Sequence, residues 1–341
     1  MASTSDSVPT VATQTLFRPN PFQKVHLRSF ASNQIPTYLF RLVAPDTDGS
    51  TSTSAVTSRA LMDSESNHPE DIFRLGQAEA AALVYEHLDW KCDDRCNFMS
   101  WTSSLLFALQ YGLFRHRKVR SKPDLSEILL FILDTRGFPE GTFIKDLDII
   151  DAFKKHSDEL RSFSALRRRE TRSNRQFYFG EYLTQGELNI QGKCATVSLQ
   201  QMIDHGLFDL YPRLRNQDKW NLLAIRVLEL REDFAQLPST TPFEVRKAIE
   251  IAQGCFTNRW IVPFAAMLLS LKARDPNDAE IVARLSEINS PEELDLQKIQ
   301  IDVYDLPEVR QFARIINSVH RESKDSDISL LLNPFTRLDI E

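Results

Sequence analysis

The sequence predicts an α+β fold, with a mixed β domain followed by a mainly α-helical domain. In the first half, short runs of aromatic and β-branched residues recur with only one or two helical segments between them, which favours α+β over a doubly wound parallel sheet. From Trp220 onward, apolar residues recur at helical spacing instead. The chain has 341 residues, more than the ~250 to 300 at which a single core stops growing, so two domains are expected.

The predicted boundaries leave two loosely structured termini. Residues 1–32 are rich in Ser, Thr, Pro and Asn, a composition that buries too little apolar surface to offset the entropy of ordering, so we expect a disordered leader there. The mixed domain follows at 33–213, the helical domain at 214–321, and a flexible tail at 322–341.

Local patterns place the elements of the first domain. A strand begins near Thr37 and ends before Pro45, residues 45–59 are predicted to form a polar loop, and an amphipathic helix begins near Ile72. A strand, a turn and a helix follow from Phe98. Further strands are predicted at 128–133, 177–183, 188–190 and 194–199.

Helix-start signatures mark the second domain. Thr241-Pro242 and Ser290-Pro291 each place a capping hydroxyl before a proline and a nearby glutamate, and Asp275-Pro276 is expected to open a third helix. This half carries no recognisable chemical motif. Three roles therefore stay open for it: docking a substrate protein, covering the N-terminal sheet, or self-association.

Composition and charge limit the function classes. A formal net charge of −6 argues against an electrostatic grip of the whole protein on nucleic acid. No apolar run reaches the ~18 to 20 residues that cross a bilayer, and the N-terminus lacks the pattern of a signal peptide. We expect an intracellular, cytoplasmic protein with no membrane partner.

The cysteines give no recognisable metal or disulfide pattern. Cys92 and Cys96 match neither a disulfide framework nor a paired zinc motif, and the two aspartates between them lack the ligand count of a metal site. We therefore predict reduced, inert thiols and no metal. His87 lies on the apolar face of a predicted helix, which favours a core histidine over a ligand.

Three residues break the pattern of their surroundings. Arg41 is a cation in an apolar strand, Ser100 lies near a strand end before a helix, and Glu181 is an acid within an aromatic strand. Burying a charge is unfavourable unless the charge is paired. Arg41 and Glu181 are therefore expected to pair with each other, to face solvent, or to bind a ligand.

The order of these residues carries a family resemblance. Tyr38-Leu39-Phe40-Arg41, then Phe98-Met99-Ser100-Trp101-Thr102, then a late strand entering Glu181 resembles the arginine, serine, glutamate order of ADP-ribosyltransferases. The segment from Thr37 to about Pro212, with Trp-Lys-Cys-Asp-Asp, Ser-Trp-Thr-Ser-Ser and Gly-Glu-Tyr-Leu-Thr-Gln-Gly, also resembles an uncharacterised fungal domain family. The resemblance implies an ADP-ribosyltransferase-like fold and an enzyme that consumes NAD, by ADP-ribosyl transfer to a macromolecule or by NAD hydrolysis.

The resemblance also implies catalytic roles. Glu181 would stabilise the oxocarbenium-like state that forms when nicotinamide leaves ribose. Ser100 would orient Glu181 and the nicotinamide ribose, and Arg41 would bind the NAD pyrophosphate or the adjoining ribose. All three must then converge on one cleft, and an Arg41 on the opposite sheet face from Glu181 would contradict the hypothesis.

Further NAD contacts are implied around these residues. Thr102 would support the turn after Ser100, whereas Tyr38 and Trp101 would either line the nicotinamide pocket or serve as core aromatics. Trp101 departs from the family, which usually has a small hydroxyl residue there, and Phe179 replaces the second acid of the arginine-modifying members. Glu187 is the alternative acid.

A cluster of arginines precedes Glu181. Residues 161–176 contain six arginines, and Arg167, Arg168 and Arg169 are candidates to recognise an acidic protein or a nucleic-acid acceptor. A solvated loop is the other interpretation. Two further functions from other classes stay open: a catalytically inactive nucleotide-binding or protein-interaction scaffold, and a nucleic-acid interaction protein.

Overall fold

The computed structural model describes residues 14–25, 27, 35–62, 70–118, 120–168, 176–236, 239–288, 299 and 306–332, the last nine of them by backbone alone. The strands are β1 (Tyr38–Val43), β2 (Ser50–Thr51), β3 (Ala55–Thr57), β4 (Phe98–Thr102), β5 (Leu129–Asp134), β6 (Ile144–Lys145), β7 (Glu181–Gln185), β8 (Glu187–Asn189) and β9 (Cys194–Ser198).

The α-helices are α1 (Pro21–Lys24), α2 (Arg59–Met62), α3 (Gln77–Leu88), α4 (Leu105–Lys118), α5 (Asp146–Phe153), α6 (Asp158–Arg167), α7 (Leu199–Asp204), α8 (Leu207–Leu210), α9 (Ala224–Arg231), α10 (Pro242–Cys255), α11 (Ile261–Leu269), α12 (Ala279–Glu287) and α13 (Pro307–Leu332). Short 3-10 helices lie at Ile72–Arg74, Lys154–His156, Pro212–Arg215, Gln217–Lys219, Glu232–Ala235 and Asn258–Trp260. Among the described residues, no helix is both long and apolar enough to cross a membrane.

The strands form two antiparallel sheets. The six-stranded sheet has the order β6-β7-β4-β1-β5-β9, and the three-stranded sheet has the order β2-β3-β8. Every pairing within them is antiparallel. This arrangement, with helices after and between the strands, confirms the predicted α+β class and excludes a doubly wound parallel sheet.

The register of the six-stranded sheet decides which side chains share a face. Phe40 pairs with Thr102, and Thr102 pairs with Glu181. Paired residues of antiparallel strands point to the same face, and neighbours along a strand alternate. Phe40, Thr102 and Glu181 therefore lie on one face, which we call the helical face, while Arg41 and Trp101 lie on the other.

The two faces are covered by different elements. Part of the helical face, near β1 and β5, packs against α4 and the C-terminal helices. The remainder, near β4 and β7, packs against α3, α5 and α6. The opposite face packs against the three-stranded sheet through Val56 and Leu188.

The N-terminal sheet and the C-terminal helices share one hydrophobic core. The Tyr38 ring of β1 lies 6.0 Å from the Trp260 ring and 5.9 Å from the Phe312 ring, measured between centroids. The same cluster of buried residues runs from β1 through α10, α11 and α13. The predicted boundary at 213 therefore falls inside a continuous core, and the helical half covers the sheet, one of the three roles left open.

The predicted leader and tail both contain ordered segments. Phe17 is 2% exposed, its amide donates to the Gly141 carbonyl at 2.8 Å, and its ring stacks 6.4 Å from that of Phe98. The disordered leader is therefore wrong for residues 14–25 and 27, and the rest of 1–32 lies outside the described residues. Helix α13 runs to Leu332, inside the predicted tail, and 333–341 lie outside the described residues.

Several elements differ from their predictions. The polar loop at 45–59 contains β2 and β3, and the predicted strand 177–183 begins only at Glu181, because Gly180 adopts a φ of +71°. Helices α5 and α6 exceed the one or two helices expected in this half. The helix expected at Asp275-Pro276 begins at Ala279, and Ser290-Pro291 lies outside the described residues.

Helix α10 confirms the predicted start signature. The Thr241 hydroxyl accepts from the Glu244 amide while the Glu244 carboxylate accepts from the Thr241 amide, a complete capping box. Glu244 Oε2 also accepts from Arg274 at 3.0 Å, and Lys272 contacts the other oxygen. Burial alone would raise the pKa of Glu244, but the hydrogen bonds from Arg274 and Lys272 lower it to about 2.

Candidate functional site

Ser100 and Glu181 are in direct contact on the helical face. Both point to this face because Ser100 lies two residues before Thr102, the partner of Glu181 in the β4 and β7 pairing. The Ser100 hydroxyl donates to Glu181 Oε1 at 2.8 Å. The structure therefore brings together two of the three residues that the sequence singled out.

His87 and Arg167 extend this pair into a chain of four side chains. His87 Nε2 lies 2.8 Å from the Ser100 hydroxyl oxygen, and Arg167 Nη2 donates to Glu181 Oε2 at 2.8 Å. The Arg167 and Glu181 side chains are 9% and 15% exposed. We call His87, Ser100, Glu181 and Arg167 the polar chain. Each carboxylate oxygen of Glu181 is occupied within it.

Asp146 adds a second carboxyl beside Arg167. Its Oδ2 lies 3.6 Å from Arg167 Nε, and the Asp146 side chain is fully buried. Neither of these two atoms has a hydrogen-bond partner. Burial raises the pKa of Asp146 to about 7, Arg167 opposes this shift, and the nearby charge of Glu181 adds to it. Arg167 thus lies between two carboxyl groups and is engaged inside the fold.

Arg41 lies on the opposite face of the sheet from Glu181. Its Nε donates to the Thr51 hydroxyl at 3.2 Å and its Nη1 donates to the Ser100 carbonyl at 3.0 Å. Burial lowers the pKa of Arg41 to about 10. The expected convergence of Arg41, Ser100 and Glu181 is therefore wrong, because Arg41 is offset by one residue from Phe40, which shares the face of Glu181.

Trp101 and Tyr38 are core aromatics, the second of the two interpretations given for them. Trp101 is 1% exposed on the face away from Glu181, and its indole N–H donates to the Thr184 hydroxyl at 3.0 Å. Tyr38 packs against C-terminal aromatic rings. Thr102 does support the turn, since its hydroxyl donates to the Phe179 carbonyl at 2.6 Å and accepts from the Ser104 amide at 3.0 Å.

In the part of the arginine cluster that the structure describes, residues 161–168 and 176, the chain is mostly helical and both Arg167 and Arg168 are paired within the fold. Helix α6 ends at Arg167, and Arg168 follows it with its Nη2 donating to Asp151 Oδ2 at 2.5 Å. Because Arg167 is paired with Glu181 and Arg168 with Asp151, neither guanidinium is free to bind an acceptor. Arg169 lies outside the described residues. Glu187, the alternative acid, lies on β8 of the other sheet, opposite Thr57.

A second group of polar side chains adjoins the polar chain. His87 Nδ1 lies 3.2 Å from the sulfurs of both Cys92 and Cys96, and the two sulfurs are 2.7 Å apart. The hydrogen bond between the thiols lowers the pKa of Cys96 and raises that of Cys92. His87 is 9% exposed and both its ring nitrogens have partners within the fold.

The sequence did not predict that His87 meets these thiols. The available signal was the spacing of a histidine in the last turn of a helix with cysteines five and nine residues later. A loop of this length can return to the helix end.

Two cavities lie elsewhere in the described structure. One of about 50 Å³ lies between β1 and α13, lined by Tyr38, Phe40, Ser103 and Phe312 among others. The other, of about 260 Å³, is formed by residues 135–143 together with Ile35 and Thr37. Neither is lined by Ser100 or Glu181, and both are smaller than the ~300 to 1,000 Å³ of typical small-molecule sites.

The fold and site define an α+β domain that carries a buried polar chain and is covered by a helical half. Residues 34–200 match the model of a family described as "Domain of unknown function (DUF7587)". This match spans β1 to the beginning of α7 and so includes every residue of the polar chain. No curated protein matches the chain, and no solved structure does.

Proposed function

We propose that this protein is a non-catalytic protein-interaction scaffold in which the residues that resemble an NAD site hold the fold together. The observation that carries this proposal is the pairing of Glu181. One carboxylate oxygen accepts from Ser100 and the other from Arg167, while Arg41 lies across the sheet. A carboxylate that stabilises an oxocarbenium-like state must instead face the ligand.

The surroundings of Glu181 support a structural role. The Phe179 ring stacks 4.9 Å from that of Phe107, and the guanidinium of Arg231 lies 5.4 Å from the Phe179 ring centroid. This packing fills the space at the start of β7. The two cavities described above both lie away from Glu181.

The described surface offers residues suited to protein contacts. Phe22 is 87% exposed, Trp90 is 61% exposed and Phe243 is 48% exposed. Aromatic side chains are enriched at protein interfaces and supply much of their binding energy. They support an interaction role without identifying the partner.

A second candidate function is NAD consumption, by transfer or hydrolysis. The hydrogen bond from Ser100 to Glu181 favours it, because this is the contact that the resemblance to ADP-ribosyltransferases implies. The absence of Arg41 from that face weighs against it. The scaffold function and the NAD-consuming function predict opposite outcomes of the same experiment.

The experiment measures nicotinamide release from NAD by the purified full chain, with and without a cell lysate as acceptor source. Glu181→Gln is the test variant and Glu187→Gln is the matched control. We expect no release by any of the three proteins. Release by wild type and the control that disappears in Glu181→Gln would overturn the scaffold proposal and establish an NAD enzyme, with lysate-dependent release indicating transfer.

A stability measurement on the same proteins supplies the positive prediction. Glu181→Gln should lower the free energy of unfolding by about 1.5 to 3 kcal/mol, since the buried Arg167 loses its charged hydrogen-bond acceptor. Glu187→Gln should change it much less. Equal effects of the two substitutions would contradict a structural role for Glu181.

A further inference from the structure

We propose that His87, Cys92 and Cys96 bind one zinc-class divalent cation through three protein ligands. The three donor atoms, one imidazole nitrogen and two sulfurs, all lie within 4.8 Å of one another. His87 ends the last turn of α3, and the loop before β4 brings both cysteines back to it. Helix and loop therefore present their donors to a single point.

The donor chemistry selects the ion. Two thiolates and an imidazole suit Zn²⁺, whose tetrahedral sites use Cys and His, whereas Mg²⁺ and Ca²⁺ prefer oxygen ligands. Three protein ligands leave a fourth position for solvent. Cys92 is half-buried while Cys96 and His87 are buried, so Cys92 is the ligand most accessible to solvent.

The hydrogen bonds of His87 support this assignment. If Nδ1 binds the metal, the ring proton must lie on Nε2, which then donates to the Ser100 hydroxyl at 2.8 Å. That hydroxyl in turn donates to Glu181, whose other oxygen is held by Arg167. Every hydrogen bond along the polar chain then joins one donor to one acceptor. The polar chain thus fixes the orientation of the imidazole, as the hydrogen-bond partners of metal-binding histidines do.

Binding requires a small adjustment of the sulfurs. Zn–S bonds of about 2.3 Å and Zn–N bonds of about 2.0 Å place tetrahedral sulfurs about 3.8 Å apart and the nitrogen about 3.6 Å from each. The sulfurs, now 2.7 Å apart, must separate by about 1 Å, which rotation of the half-buried Cys92 side chain supplies. Three metal–ligand bonds form, and the thiol protons leave to solvent.

The competing state is a disulfide between Cys92 and Cys96. That bond would need an oxidant to remove two electrons and two protons, and it would leave Nδ1 of His87 without a thiol partner. The equal 3.2 Å distances from Nδ1 to both sulfurs favour three groups that converge on one centre. The test therefore includes the disulfide as an outcome.

The experiment uses the full chain, purified under reducing conditions and stripped with a chelator, and titrates it with Co²⁺ and then Zn²⁺. We expect about one equivalent of metal per chain and a thiolate-to-cobalt charge-transfer band that Zn²⁺ abolishes. Cys92→Ser and Cys96→Ser should weaken binding at least about tenfold. Cys255→Ser, which changes another half-buried thiol, should bind like wild type.

Three results would overturn the proposal. One is the absence of a charge-transfer band in fully reduced wild type, which can be measured even if a variant fails to fold. Another is a protein isolated with Cys92 and Cys96 as a disulfide that, after reduction, regains two reactive thiols but takes up no metal. The third is loss of the band in Cys255→Ser alone, which would assign the metal to other residues.

Discussion

Glu308 joins the helical half to the sheet through a buried ion pair. Its carboxylate accepts from the Ser104 hydroxyl at 2.5 Å and from Arg231 Nη2 at 2.7 Å. The Arg231 and Glu308 side chains are only 11% and 4% exposed. Arg231 Nη1 also donates to the Tyr178 carbonyl at 2.7 Å. Glu308→Gln would leave the guanidinium charged and buried beside a neutral amide.

The expected loss of stability follows from that burial. Removing one partner of a buried pair destabilises a protein by about 3 to 5 kcal/mol, because the remaining charge has no compensation. The amide of glutamine still accepts a hydrogen bond, so we expect the lower end, about 3 kcal/mol. Glu280→Gln is the matched control, since Glu280 and Arg284 are 35% and 56% exposed and solvent screens such surface pairs, so that they contribute little to stability.

The assay is urea denaturation followed by tryptophan fluorescence and by far-ultraviolet circular dichroism. Because the halves share a core, the two signals should report one coincident transition in the wild type. A loss below about 1 kcal/mol in Glu308→Gln, or a loss equal to that of the control, would refute the reasoning about the buried pair. Two separate wild-type transitions would refute the shared core.

Three further predictions concern stability. Asp146 has its pKa raised from 3.8 to about 7 in the folded protein, so its contribution to stability should fall as pH rises from about 4 to 7. In Asp146→Asn, denaturation at several pH values should show a smaller fall in the free energy of unfolding over this range. Glu244 has its pKa lowered from 4.5 to about 2, so stability should be lost as pH falls from about 4.5 to 2. If Glu244→Gln loses as much free energy of unfolding over this range as wild type, the prediction is wrong. Gly180→Ala should destabilise more than Gly192→Ala, because both glycines have positive φ but only at Gly180 would a Cβ collide with side chains, those of Ser103 and Leu306. Equal melting temperatures of the two variants would refute this prediction.

Local patterns were sufficient to predict much of the sheet. The dense apolar runs of β1 and β5 and the strand, turn and helix from Phe98 all lie close to their predicted bounds. These segments are dense in apolar residues, so the structure that they favour locally is the one they adopt in the final fold. Short β2 and β3 lack such runs, and only the pairing of β2 with β3 and of β3 with β8 reveals them as strands.

The candidate site was less predictable, because it depends on register. The family resemblance implied that Ser100 orients Glu181, and the two side chains are in contact, but local patterns could not show that Arg41 points the other way. A single residue along a strand changes the face, and register is set by pairings between distant segments. The contact of Arg167 with Glu181 was not predictable for a related reason: a run of arginines favours a solvated loop, whereas α6 directs its last residue, Arg167, toward β7.

The packing of Tyr38 against Phe312 has a consequence for how the chain folds during synthesis. The strand that occupies the middle of the sheet emerges early from the ribosome, yet the helix that covers its ring emerges more than two hundred residues later. Until then the apolar side of β1 is exposed to solvent and to other nascent chains. Ribosome-bound intermediates halted before Pro307 should therefore bind chaperones more strongly than the completed protein.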